Sequence, residues 1–182
     1  CAAAHAAGLT VICDATVGTP FLVRPLQQKN PAERPDYVIH SYTKDLTGHG
    51  TTTAGVVIGR NEDMFLPKGD TSPSGKSWHD TLFWNVYYIK GAFLDSDKAF
   101  EVLTGMKTLE LRMLKKCINT MVFTRWLASN PLVTVSGPAN PQDPNHAVAA
   151  RLSYLGLPAP LFTINFEAAK VTRVTLERFF DS

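Results

Sequence analysis

The sequence has few cysteines, little net charge and no long apolar run. Its three cysteines, Cys1, Cys13 and Cys117, are far apart and odd in number, which argues against a disulfide framework and a zinc site. The formal net charge of +2 gives no electrostatic basis for binding nucleic acid or an anionic membrane. No apolar run approaches the roughly 20 residues that span a bilayer. We therefore expect a globular protein of the reducing cytoplasm, with neither nucleic acid nor membrane as a partner.

The chain also lacks an initiator methionine. It opens on "CAAAHAAG", an Ala-rich segment that predicts a helix ending at Gly8. We therefore expect the sequence to be a fragment whose partners include the remaining parts of the same polypeptide.

The first half of the chain alternates short apolar runs with turn-forming segments. Residues 9–14, "LTVICD", and 36–41, "DYVIHS", are typical of buried parallel strands, with Cys13 as a small buried hydrophobe. The proline-rich residues 15–35 between them are long enough for a crossover connection. "TTTAGVVIG", residues 51–59, predicts a third strand after a glycine turn.

The second half is mainly helical. The aromatic segment 78–88 favours a helix, and Ser96 is the predicted N-cap of another. A longer helix follows and ends before Pro131. Its predicted apolar stripe comprises Met106, Leu109, Met113, Leu114, Cys117, Met121 and Trp126. A strand at residues 132–135, a helix at 146–156, a strand at 161–167 and an amphipathic helix at 171–182 complete an α/β order with a second α/β part.

Polar side chains follow the first two predicted strands. Asp14 ends the first strand, and Ser41, Thr43 and Lys44 follow the second. Because parallel strands present their ligands at their carboxyl ends, an acid, two hydroxyls and an amine would converge if these strands are neighbours.

Lys44 has three possible roles on these residues alone: a solvated loop lysine, a phosphate clamp, or a nucleophile that holds a cofactor. Pyridoxal phosphate needs an amine for its aldehyde, an acid for its ring nitrogen and donors for its phosphate. Lys44, Asp14 and the pair Ser41 and Thr43 could supply them. The alternatives stay open, because Asp often forms turns and Ser and Thr often bond their own backbone.

Longer motifs carry a resemblance to a known family. "VICDATVGTPFLVRPL" followed by "DYVIHSYTKDLTGHGTTTAGVVIG" resembles the signature of the Cys/Met-metabolism, or transsulfuration, family of pyridoxal-phosphate enzymes. The likeness continues through "GMKTLELRM" to "RFFDS" and so spans nearly the whole chain. This family includes cystathionine γ-synthase, cystathionine γ-lyase, methionine γ-lyase and O-acetylhomoserine sulfhydrylase.

The resemblance implies a role for each site residue. Lys44 would be the Schiff-base lysine and Asp14 the partner of the ring nitrogen, while Ser41 and Thr43 would bind the phosphate. Thr16 would lie near the cofactor. The implied fold is the fold-type-I, aspartate-aminotransferase-like sheet domain, present in part at residues 1–108, followed by part of a smaller α/β domain at 109–182.

The resemblance also implies an activity, which we expect to be γ-elimination at a carbon–sulfur bond of a small amino acid. The alternatives are γ-replacement by a synthase or sulfhydrylase, and a non-catalytic fragment. The family usually forms homodimers or homotetramers with active sites at subunit interfaces.

This chain departs from the family pattern at three points. Ala15 stands where Asn is usual, and "QQKNPAERP" lengthens the segment between Asp14 and Lys44. Residues 86–88 replace the Lys-Asp pair of methionine γ-lyases. The family's phosphate loop and ring-stacking tyrosine would lie before residue 1, and its substrate-binding arginine after residue 182.

Overall fold

The computed structural model describes residues 1–166 and 171–181. The chain divides into two compact units, Cys1–Glu110 and Leu111–Ser182. The last position of the predicted strand 161–167 and the last position of the predicted helix 171–182 lie outside the described residues.

The first unit holds a small sheet with short helices around it. Its elements are α1 (Ala2–Ala6), β1 (Ile12–Asp14), α2 (Thr19–Leu22), β2 (Tyr37–Ser41), β3 (Gly55–Ile58), α3 (Asn61–Met64) and α4 (Ser96–Met106). Single helical turns occur at Pro25–Gln27, Pro31–Glu33, Tyr42–Leu46, Trp78–Asp80 and Phe83–Tyr88.

The three strands form one sheet in the order β1-β2-β3. β1 pairs parallel with β2, with Asp14 in register with Ile39. β3 pairs antiparallel with β2, with Val57 opposite Ile39. The predicted parallel pair, the crossover and the third strand are therefore confirmed.

The two faces of this sheet differ in burial. On one face Val38 is 2% exposed and His40 is 4% exposed. On the other, Ile12 is 63% exposed and Val57 is 44% exposed. The prediction that β1 is buried is wrong for this chain, and Cys13 is only half-buried, because the elements of the described chain cover one face only.

Two helix predictions need correction. The N-cap of α4 is Asp95, whose carboxylate accepts the backbone N–H of Lys98 at 2.9 Å; Ser96 is the first helical residue instead. The aromatic segment forms the two separate turns at Trp78–Asp80 and Phe83–Tyr88 rather than one helix. Ring stacking between Phe83 and Tyr87, with centroids 5.2 Å apart, accompanies the second turn.

The long helix α5 (Leu109–Ala128) starts in the first unit and continues into the second. Met113 and Cys117 on its predicted stripe are fully buried, whereas Trp126 is 65% exposed. The stripe is also shorter than predicted, because Met106 ends α4 and Lys107 and Thr108 separate the two helices.

The second unit has a two-stranded antiparallel sheet. β4 (Val133–Ser136) pairs with β5 (Thr163–Phe166), and the helices α6 (His146–Leu152) and α7 (Arg173–Phe180) complete the set. The predicted strand–helix–strand–helix order is confirmed. No helix among the residues described, 1–166 and 171–181, is both long enough and apolar enough to cross a bilayer.

Candidate active site

The structure brings the predicted site residues to one edge of the sheet. Asp14 ends β1, in register with Ile39, and Ser41 ends the parallel strand β2 two residues further on. Thr43 and Lys44 lie in the helical turn that follows directly, Tyr42–Leu46. The carboxyl ends of two parallel-paired strands thus present the acid, both hydroxyls and the amine together.

Thr16 links the two strand ends. Its backbone N–H donates to Asp14 Oδ1 at 2.9 Å. Its hydroxyl accepts the backbone N–H of Ser41, also at 2.9 Å. Between these bonds, the N–H of Ala15 donates to the carbonyl of Ile39 at 3.1 Å, so the chain beyond β1 stays attached to β2.

Asp14 is held in its charged form. Hydrogen bonds from the side chain and the backbone of Thr16 lower the pKa of its carboxyl below the ordinary value, burial opposes this, and His40 lowers it further. The carboxylate itself is exposed. An ionised, accessible carboxylate is the group that keeps a pyridine nitrogen protonated.

Lys44 is exposed at the centre of its turn. Helical geometry is interrupted there, with φ −87° and ψ −132°, while Gly48 N–H donates to the Lys44 carbonyl at 2.8 Å. Within the described part of the chain, the Lys44 amine has no hydrogen-bond or ion-pair partner. The amine is therefore open to a reacting group, and among residues 1–166 and 171–181 it stays exposed to water.

The two predicted phosphate ligands differ in availability. The Thr43 hydroxyl accepts the N–H of Ala54 at 3.1 Å and donates to the carbonyl of Ala54 at 3.4 Å. Over residues 1–166 and 171–181, no partner is found for the Ser41 hydroxyl. Ser41 is thus a free donor, whereas Thr43 must release a long hydrogen bond before it can donate to a phosphate.

Helix α4 packs against the segment that follows the lysine turn, Tyr42–Leu46. Sequence reasoning missed this contact. Gly105 approaches the backbone of Thr47 so closely that a Cβ built on Gly105 would lie 2.0 Å from the Thr47 carbonyl oxygen. The hydroxyl of Thr52 donates to Glu101 on the same helix. A glycine inside a predicted helix was the available signal, because such a residue often marks close backbone approach.

His40 is the second residue that sequence reasoning missed. It precedes Ser41 on β2, and burial lowers the pKa of its imidazole. A cavity of about 350 Å³ lies on this face of the sheet, lined by Pro20, Val23, Arg24, Pro25, Leu26, Gln27, Val38, His40 and Ile58. Neither Asp14 nor Lys44 lines it, so this cavity is distinct from the strand-end edge.

A metal site is not found in the part of the chain that the structure describes. No group of three or more His, Cys, Asp or Glu side chains there is placed to hold a metal ion. The donors at the strand-end edge suit an organic cofactor with a phosphate, an aldehyde and a ring nitrogen instead.

Comparison with known proteins identifies the family. The model of the Cys/Met metabolism PLP-dependent enzymes matches residues 1–179. The L-methionine gamma-lyase of Pseudomonas putida is 36% identical over 128 residues, 69% of this chain and 27% of that protein. The cystathionine beta-lyase of Coxiella burnetii is 32% identical over 154 residues, 81% of this chain and 34% of that protein.

A solved structure agrees with these relatives. The cystathionine gamma synthase of Xanthomonas oryzae pv. oryzae superposes with a TM-score of 0.77 at 25% identity, over 99% of this chain and 40% of that one. The chain belongs to the Cys/Met metabolism family of PLP-dependent enzymes. It represents part of the fold-type-I architecture, and spans well under half the length of these relatives.

Proposed function

We propose that this chain forms one part of a pyridoxal-phosphate site in a longer enzyme of sulfur amino-acid metabolism. The observation that carries the proposal is the parallel pairing of β1 with β2, which puts Asp14 and the Lys44 turn at the same edge. The lowered pKa of Asp14 and the unpartnered amine of Lys44 fit the needs of the cofactor's ring and aldehyde.

Each side chain then has a defined task. Bound pyridoxal phosphate supplies an aldehyde that condenses with amines and a ring that accepts an electron pair. The Lys44 amine would hold the aldehyde and, when freed by the substrate amine, would take the α-proton of the substrate. Asp14 would keep the proton on the ring nitrogen, and the hydroxyls of Ser41 and Thr43 would donate to the phosphate. Lys44 would also move the β-proton that departure of the γ-substituent requires.

γ-Elimination from a small sulfur-containing amino acid is the reaction we favour. The similarity to L-methionine gamma-lyases supports it, whereas the similarity to an O-acetyl-L-homoserine sulfhydrylase supports γ-replacement as the alternative. Product analysis with methionine, cystathionine and O-acylhomoserine separates the two. If the 182-residue chain is colourless as isolated, so that no cofactor is attached to a lysine, it supports the third reading, a non-catalytic fragment that lacks a complete site.

The proposal also covers the domains, the location and the oligomeric state of the whole enzyme. We assign residues 1–108 to the cofactor-binding domain and 109–182 to the smaller C-terminal domain. The full-length enzyme would work in the cytoplasm as a homodimer or homotetramer with its active site at a subunit interface. Lys44 is exposed in the described part of the chain, and its exclusion from water would come from the remaining polypeptide or from that interface.

Replacement of Lys44 tests the proposal directly. In the full-length protein, Lys44→Ala should abolish turnover, because loss of a positioned base alone costs roughly a hundredfold to ten-thousandfold in rate. Borohydride treatment followed by peptide mass spectrometry should find the reduced cofactor on Lys44 in the parent protein. The exposed crossover lysine, Lys29, serves as the control in Lys29→Ala, which should behave as the parent. Turnover retained in Lys44→Ala, or cofactor fixed to another lysine, contradicts the assignment.

A further inference from the structure

We propose that Thr16 is a positioning residue, which sets Asp14 and Ser41 in one fixed arrangement so that the ring-nitrogen contact and the phosphate contact form together. The inference rests on the proposed function for the identity of the cofactor. The bonds that carry it lie wholly within this chain.

The first step is the link to β2. The strand pairing ends in register at Asp14 and Ile39, and the Ala15 N–H continues it for one more bond. At the next position on β2, the Ser41 N–H is met by the hydroxyl of Thr16 rather than by a backbone carbonyl. At Ser41, the hydroxyl of Thr16 thus replaces the backbone carbonyl that would continue the hydrogen bonding between the strands.

The second step is the link to the carboxylate. Thr16 N–H donates to Asp14 Oδ1 at 2.9 Å. The Thr16 side chain and this backbone N–H together lower the pKa of the carboxyl. The hydroxyl of the same residue accepts the N–H of Ser41. Thr16 therefore contacts both proposed cofactor ligands, Asp14 through its backbone N–H and Ser41 through its hydroxyl.

The other titratable groups near Asp14 do not replace this link. His40 interacts with the carboxylate through its charge alone, and its own pKa is lowered by burial. The pKa of the Cys13 thiol is raised, by burial first and by Asp14 second, which favours the neutral thiol, so Cys13 adds no charge beside Asp14. Substitution of Thr16 should therefore change the pKa of the Asp14 carboxyl more than substitution of His40 or Cys13.

Two substitutions separate the hydroxyl from the shape of the side chain. Thr16→Val keeps the branched shape and loses the hydroxyl, whereas Thr16→Ser keeps the hydroxyl. Thr81→Val is the control for loss of a threonine hydroxyl, because Thr81 is fully buried and its hydroxyl bonds within its own segment, donating to the carbonyl of Trp78 at 2.7 Å. Each variant is made in the full-length protein.

The experiment has two readouts. In the cofactor-free protein, carbon-13 NMR of labelled aspartate, assigned with Asp14→Asn, should show a higher Asp14 pKa in Thr16→Val than in the parent or Thr16→Ser. The dissociation constant of pyridoxal phosphate, titrated by absorbance, should rise about twofold to tenfold in Thr16→Val, the usual effect of losing a neutral hydrogen bond. Thr16→Ser and Thr81→Val should bind the cofactor as the parent does.

The outcomes distinguish this inference from the proposed function. Parent-like pKa and dissociation constant in Thr16→Val overturn the positioning role, and so does a Thr16→Ser variant as impaired as Thr16→Val. If the parent binds no cofactor, the proposed function fails, and the Asp14 pKa alone decides whether Thr16 sets the carboxylate. If Thr16→Val does not fold, Thr16→Ala is measured against the same two criteria.

Discussion

His40 and Asp14 lie near each other but on opposite faces of the sheet, and their surroundings favour opposite charge states. His40 is 4% exposed, and its Nδ1 has no hydrogen-bond partner in the described structure. Burial lowers the pKa of the imidazole and so favours its neutral form. Asp14 is exposed, and the hydrogen bonds from Thr16 favour its charged form. The two groups also act on each other: charge interaction with His40 lowers the pKa of Asp14 further, and Asp14 partly opposes the effect of burial on the pKa of His40.

The buried imidazole gives a pH-dependent term in stability. Because the pKa of His40 is lower in the folded protein than its ordinary value of 6.5, the unfolded chain takes up a proton first as the pH falls. The contribution of His40 is therefore complete above the unfolded pKa and is lost as the pH falls towards the folded one. We expect His40→Phe to reduce the drop in the urea midpoint between about pH 7.5 and about pH 5.

The control for this prediction is His79→Phe, since His79 is exposed. Carboxylates with lowered pKa, such as Asp14 and Asp36, lose their contribution only below their ordinary value of 3.8 and so act in a separate, more acidic window. An equal drop in the parent and in His40→Phe would contradict the burial effect.

At the scale of elements, the lysine turn depends on helix α4. The two segments are held together by the contact of Gly105 with Thr47 and by the hydrogen bond from Thr52 to Glu101. Thr47 lies three residues after Lys44, and its N–H donates to the carbonyl of Tyr42 at 3.1 Å. A shift of helix α4 would therefore also move the turn that carries the Lys44 amine.

Gly105→Ala should reveal this dependence. In an exposed helix the change stabilises by roughly 1 kcal/mol, but here the new Cβ would meet the Thr47 carbonyl oxygen at 2.0 Å. Overpacking of this kind costs about 1–3 kcal/mol, so we expect a lower free energy of unfolding and less borohydride-fixed cofactor on Lys44. The control is Thr104→Ala, at an exposed neighbouring position. Greater stability in Gly105→Ala would mean that the contact carries no strain.

Sequence patterns predicted which residues form strands and helices better than they predicted how buried those residues are and which side chains they contact. The apolar runs ending at Asp14 and Ser41 identified both strands, and the crossover between them required the parallel pairing that brings the site together. The burial of β1 could not be predicted, because it depends on what covers each face. Nor could the hydrogen bonds of Thr16, since they require the register of Asp14 with Ile39. Ser96 and Asp95 are both good N-caps, and only the backbone geometry selects Asp95.

At the scale of the whole molecule, the face of the sheet that carries Asp14 is largely uncovered. Ile12 and Val57 flank the half-buried Ile39 on this face and are largely exposed. β-Branched residues that lie side by side on neighbouring strands are typical of a sheet face that another element covers. The relatives are much longer than this chain, which spans 27% of the Pseudomonas putida protein and 34% of the Coxiella burnetii protein. We expect the remaining part of the same polypeptide to cover this face.

Val57→Asp in the full-length protein tests this expectation. If further chain covers the face, the substitution buries an unpaired charge and should lower the free energy of unfolding by about 3 kcal/mol or more. Thr53→Asp is the control, since Thr53 is exposed two residues before β3 and a surface change there should stay within about 0.5 kcal/mol. Denaturant unfolding measures both. Equal, small effects would mean that this face of the sheet stays open to solvent in the full-length protein.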